Sequence, residues 1–150
     1  MEPISLPGGA WVLVGDGRKA LLLQNAGTPQ RVRLVTERVL QQDNPPSHDQ
    51  GTDRPGRHPG PAGAGRSAME ETDWHQLSED RFAKTMAELL RRAVQAGRVG
   101  QLMLVAPPKT LGNLRIALHE DVAKRVIGEL PKDLTSHPIA EMERLLSRHP

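Results

Sequence analysis

The run Gln101-Leu102-Met103-Leu104-Val105-Ala106, closed by Pro107-Pro108-Lys109, decides how the rest of this chain is read. It has strand length, and after Gln101 no polar residue interrupts it, so it reads as a strand buried on both faces. Burial on both faces needs a sheet covered by helices. Pro108, with its fixed φ and missing N–H, suits the first turn of such a helix. That helix is expected to run from Pro108 through Leu118, with Leu111, Leu114 and Leu118 facing the core.

Before this strand the spacing predicts a long helix from about Trp74 to Ala96. Phe82, Met86, Leu89, Leu90, Ala93 and Val94 form its apolar stripe, Asp73 and Gln76 have capping-box spacing, and Gly97 is the stop. Nearer the N-terminus, Trp11–Val14 and Ala20–Leu23 flank Gly15-Asp16-Gly17, a strong hairpin signal. Arg31–Leu40 reads as a third strand, entered by a turn at Gly27-Thr28-Pro29, with Val32, Leu34 and Thr36 on one face. Beyond the Pro108 helix, Glu120–Lys124 suggests a helical turn and Arg125–Leu130 a fifth strand containing Gly128. Pro138 opens a terminal helix with Ser136 or His137 near its cap and Ile139, Met142, Leu145 and Leu146 directed inward. The expected fold is therefore α/β: a mixed five-stranded sheet with helices packed on it, in the ribonuclease H-like order β-β-β-α-β-α-β-α. A chain of 150 residues fits one such domain, spanning residues 1–150.

Between the third strand and the long helix lies Asn44–Arg66, NPPSHDQGTDRPGRHPGPAGAGR. Ten of its 23 residues are Gly or Pro, a content that opposes both helix and central strand, so a flexible loop is expected from about 41 to 72. Arg54, Arg57 and Arg66 make the segment locally basic, although 20 basic against 18 acidic residues leave the whole chain at only +2. Thr52-Asp53-Arg54-Pro55-Gly56-Arg57 is a compact polar stretch in which Asp53 and Gly56 would shape the loop, Asp53 by bonding backbone or arginine.

Several chemistries are not expected. The absence of cysteine removes disulfides and thiolates. The six histidines show no i, i+4 metal pair, and no nucleophile elbow is present. A two-metal nuclease needs converging carboxylates, yet Asp16 reads as half of an Asp-Gly turn and the fourth strand ends in prolines and a lysine. Neither a metal nor a cofactor is expected. One Phe, two Trp and no Tyr leave few rings for base stacking. MEPISLPGGA lacks the parts of a signal peptide, and no apolar run approaches the roughly 20 residues of a membrane helix. The expectation is a soluble cytoplasmic protein with no membrane partner. Lys109 stands where a helix N-terminus favours an anion, and Arg115 follows two turns on, so the two are candidate phosphate ligands.

Five separate motifs then become familiar: TDRPGR (52–57), GRSAMEETDWH (65–75), Asp80-Arg81-Phe82-Ala83, LMLVAPPKTLGNLR (102–115) and GELPKDLT (128–135). In this order, from about Trp11 to His149, the chain resembles the bacterial host-attachment protein family, whose members are described as required for attachment to host cells. That family is similar to the middle domain of eukaryotic and archaeal class I peptide-chain release factors, which has a ribonuclease H-like fold. The resemblance implies that the loop after the third strand corresponds to the one whose Gly-Gly-Gln tip, followed by Ser-Ala, promotes peptidyl-tRNA hydrolysis on the ribosome. In Gly63-Ala64-Gly65-Arg66-Ser67-Ala68, Gly65, Ser67 and Ala68 fit, while Ala64 replaces a glycine and Arg66 stands in place of the glutamine. The nearest catalytic candidates are thus Gly65 and Arg66. Release requires a backbone close to the ester and a water in line, whereas arginine brings a cation suited to phosphate. The resemblance therefore implies a non-catalytic RNA- or ribosome-binding domain, with tRNA or the ribosome as partner and Arg54, Arg57 and Arg66 on phosphate. The alternatives it leaves are codon-independent peptidyl-tRNA hydrolysis and an indirect role in host-cell attachment.

Overall fold

The computed structural model describes residues 5–42 and 60–147, with residues 60–75 described by backbone alone. The elements are β1 (Trp11–Gly15), β2 (Lys19–Asn25), β3 (Leu34–Gln41), α1 (Gly60–Gln95), β4 (Leu102–Val105), α2 (Pro108–Ala117), α3 (Glu120–Ala123), β5 (Val126–Leu130) and α4 (Ile139–Leu146). They build one mixed sheet in the order β3-β2-β1-β4-β5. β1 pairs antiparallel with β2 and parallel with β4, in register Trp11↔Leu102 to Val14↔Val105. β2–β3 is antiparallel and β4–β5 parallel. The ribonuclease H-like order read from the sequence agrees with this architecture.

The apolar residues of each strand divide between two cores, as a period of two requires. On one face Leu13, Leu22, Leu102 and Leu104 pack beneath α1 and α2, against Phe82, Met86, Leu90, Leu111 and Leu114. On the other, Val12, Val14, Leu23, Met103 and Val105 meet Leu6, Val32, Leu134 and α4 through Met142 and Leu146. β1 and β4 are consequently buried on both sides, as the uninterrupted apolar run in β4 predicts. The α1 stripe lies inward as expected, with Leu89 and Ala93 only partly covered. Pro107 is the N-cap of α2, and Pro108 occupies its first turn.

Four expectations are corrected. The long helix begins at Gly60, not near Trp74, so Asp73 and Gln76 lie inside it and are not its cap. Once a helix exists, each further residue adds a hydrogen bond without a new nucleation cost. The alanines, Met69, Glu70 and Glu71 favour such extension, and Pro61 is tolerated in a first turn. The part of the expected loop from Gly60 to Thr72 is thus helical, while 43–59 lies outside the described residues. Second, β3 starts at Leu34, and Thr36 is exposed. Partners shift between Leu22↔Arg38 and Leu23↔Thr36, so Glu37 is an inserted bulge residue. It transfers Leu40 to the α1 side, where that residue packs. Third, Leu145 points outward at 37% exposure, because Ile139, Met142 and Leu146 already fill the inner side of the short α4. Fourth, the terminal helix is capped by Pro138, with no side-chain bond from Ser136 or His137.

A buried polar residue that the sequence does not advertise holds the N-terminal side together. Asn25 is fully buried. Its amide donates to the carbonyls of Leu6 (3.0 Å), Pro7 (3.3 Å) and Thr28 (3.3 Å), and its Oδ1 accepts from the N–H groups of Gly27 (2.8 Å) and Arg33 (3.0 Å). The expected turn at Gly27-Thr28 is therefore centred on an asparagine side chain. Gly27 has to be glycine, since a Cβ there would lie 2.3 Å from the Arg31 carbonyl oxygen.

Candidate functional site

Because β1, β4 and β5 run parallel, their carboxyl ends meet at one edge of the sheet, the edge where open α/β sheets most often place ligands. Three of the chain's polar motifs arrive there: Asp16 after β1, Pro107–Lys109 after β4, and Lys132–Thr135 after β5. Asp16 Oδ1 accepts the Arg18 and Lys19 N–H groups, each at 2.7 Å, and so pins the hairpin turn. Its Oδ2 accepts from the Thr135 hydroxyl at 2.9 Å. Asp133 Oδ1 lies 2.7 Å from the same hydroxyl and accepts the Thr135 N–H at 3.0 Å. A hydroxyl carries one proton, so the two carboxylates share a single donor. Asp16 thereby acts as the turn residue its Asp-Gly context suggested. Among the described residues no group of three or more His, Cys, Asp or Glu side chains is placed to hold a metal ion.

Above this edge, Glu79 of α1 lies over the hairpin turn. A Cβ on Gly17 would lie 2.9 Å from both Glu79 Cγ and Oε2. Glu79 Oε1 in turn sits 3.4 Å from Lys109 Nζ. Lys109 is therefore at the start of α2, as read from the sequence, with a carboxylate already beside it. Arg115 is held elsewhere: its Nε lies 3.1 and 3.2 Å from the two Glu129 oxygens, and Nη2 bonds the same carboxylate. That hydrogen bond, and then the attraction of the charge, raises the Arg115 pKa above its ordinary value. The structure does not bring Lys109 and Arg115 together, because six positions along a helix separate side chains by well over a quarter turn. Gly65 and Arg66 lie in the early turns of α1. Asp53, Arg54, Gly56 and Arg57 lie outside the described residues.

A family model for the bacterial archaeo-eukaryotic release factors, family 12, matches residues 9–146. The chain belongs to that family. No curated protein matches it. The match supports the release-factor part of the resemblance over nearly the whole chain, and attachment to host cells is not part of the family's description. Among the described residues of this release-factor-family chain, no helix is long and apolar enough to cross a membrane. The end of β3, from which the basic Gly/Pro-rich segment departs, is tied both to β2 and to α1. β3 ends at Gln41 in register with Lys19, and the Gln42 side chain reaches the Ser78 carbonyl of α1 at 3.4 Å.

Sequence reasoning missed the Asp16–Thr135 and Gly17–Glu79 contacts. Neither leaves a periodic signal, since each depends on where two distant elements end. The GELPKDLT motif marked the region around Thr135 without indicating a partner.

Proposed function

We propose that this release-factor-family domain binds RNA, most directly tRNA or the ribosome, and that it does so without catalysis through the basic segment that follows β3 and runs into the first turns of α1. One observation supports the reading: that segment joins β3 to the long helix of a sheet with ribonuclease H-like order in a release-factor-family chain, the connection that the resemblance likens to the one bearing the release tip. Arg54, Arg57 and Arg66 contribute the phosphate contacts, with Asp53 and Gly56 shaping the segment. Lys109 and Arg115 are secondary contacts, since each already faces a carboxylate. Arg66 in place of glutamine favours holding a phosphate over positioning a hydrolytic water. The reading requires a cytoplasmic protein, and it makes any role in host attachment indirect, through synthesis of surface components.

Co-sedimentation with purified bacterial ribosomes across a salt series tests it, alongside a variant with Arg54, Arg57 and Arg66 changed to Ala. Binding should fall with salt by roughly one log–log unit per phosphate contacted, and the variant should lose it. Salt-independent binding, equal binding by the variant, or no binding to ribosomes or tRNA would overturn the proposal. Release of peptide from peptidyl-tRNA by the wild type, lost on changing Gly65 or Arg66, would replace it with the hydrolytic alternative.

A further inference from the structure

Away from the β1–β4–β5 edge, a groove of about 580 Å³ opens between α1 and the antiparallel half of the sheet. Its floor is apolar, formed by Leu22, Leu40, Leu89 and Ala93 beside Trp11. Leu40, Leu89 and Ala93 remain only partly covered there. The bulge at Glu37 sets one wall: it puts Arg38 opposite Leu22 and Leu40 opposite Ala20, all facing α1. The end of α1 sets another. Gly97 has φ +77°, its N–H donates to the Val94 carbonyl, and the Arg98 N–H donates to that of Ala93, which closes the helix with a left-handed turn. That turn holds the Arg98 guanidinium 5.9 Å above the Trp11 ring, with Nη2 3.4 Å from Glu37 Oε1.

The charges around the groove do not balance. Glu37 is taken by Arg98, and Glu88 by Arg92 at 3.2 Å. Arg38 and Lys84 line the same groove and make no ion pair among the described residues. Two surplus cations thus stand over an apolar floor already stiffened by a bulge, a helix stop and a stacked arginine. An apolar wall lowers the local dielectric and strengthens attraction to an anion, and a concave, mostly apolar cleft with a few converging polar groups is the usual form of a small-molecule site.

We propose that this groove binds a small amphipathic organic anion, its acid group held by Arg38 and Lys84 and its apolar body lying on Leu22, Leu40, Leu89 and Ala93. The ligand class is an aryl or alkyl acid, carboxylate, sulfonate or phosphate ester alike. The site is independent of the RNA-binding reading and uses none of its arginines.

The test is fluorescence titration of the full chain with anilinonaphthalene sulfonate, beside N-phenylnaphthylamine, which has the same ring systems without the acid group. One sulfonate probe should bind per chain, and the neutral probe should bind about tenfold more weakly. Arg38→Ala and Lys84→Ala should each weaken the sulfonate by about fivefold and leave the neutral probe unchanged. Ala96→Trp, at an exposed position on the groove wall, should abolish both while circular dichroism shows an intact fold. Equal affinity for the two probes, several sulfonates per chain, or wild-type affinity in the Arg38 and Lys84 variants would overturn the proposal. So would undiminished binding in folded Ala96→Trp.

Discussion

The Thr135 hydroxyl donates to Asp16 Oδ2 at 2.9 Å across 119 residues of sequence. This bond joins the turn of the first hairpin to the loop after the last strand, and Asp133 Oδ1 stands 2.7 Å from the same hydroxyl. It closes the carboxyl edge of the parallel strands with one shared proton between two acids. The edge is held by polar bonds where the strands themselves are held by apolar packing.

Thr135→Val keeps the shape of the side chain and removes that proton. Asp16 Oδ2 then loses its hydroxyl donor while Oδ1 keeps the Arg18 and Lys19 N–H groups, and Asp133 keeps only the backbone N–H of residue 135, in a place where Thr135 is buried. The expected loss is about 1–2 kcal/mol of unfolding free energy, read from urea denaturation. Thr135→Ser should recover most of it, and a valine variant as stable as the wild type would show the link to be idle.

Asn25→Ala should cost more, about 3 kcal/mol, because buried carbonyl and N–H groups from several chain segments lose their partner at once. The same urea titration measures it. Hydrogen exchange should speed up at Gly27 and Arg33, whose N–H groups donate to Asn25.

The ion pair between Glu141 and Arg144 on α4 gives a pH-dependent signature. The hydrogen bond from Arg144 is the main reason the Glu141 carboxyl sits below its ordinary pKa of 4.5. A lowered folded-state pKa means the pair's contribution is complete above the ordinary value and fades as the pH falls through the folded one. Carboxyl NMR titration should find the Glu141 midpoint below 4.5 and return it towards that value in Arg144→Ala. The exposure of the pair keeps any effect on stability small. An unchanged midpoint in the variant would exclude Arg144 as the cause.

The early turns of α1 can be tested through their glycines. Gly63 and Gly65 sit in this helix, so changing each to Ala should raise helical circular dichroism and stabilise by up to about 1 kcal/mol. A drop in helicity would favour a loop in this stretch instead.

Most of the fold was legible because it rests on local patterns. The hairpin follows from apolar runs around Asp16-Gly17, β4 from an unbroken apolar run, and α2 from Pro108 at its start. The α1 stripe from Phe82 to Val94 follows from helical spacing. The errors arose where a neighbour overrode local preference. Glycines argued for a loop at Gly60–Thr72, yet a helix already formed downstream extends through them. Thr36 fitted the alternation, yet the inserted Glu37 changed which face β3 presents. Leu145 matched an inward spacing, yet α4 is too short to bury every apolar residue it carries.

The sequence by itself determined the order and type of elements, and through several ordered motifs the release-factor kinship. Periodicity, turn chemistry and proline placement act within a few residues, so they are written along the chain. Only the tertiary structure decided which polar groups meet: Asp16 with Thr135, Asn25 with three segments, Lys109 with Glu79, Arg115 with Glu129 and Arg98 with Trp11. Such pairings depend on how strands stack and where helices stop, and a hydrogen bond that spans 119 residues leaves no pattern in the order of those residues.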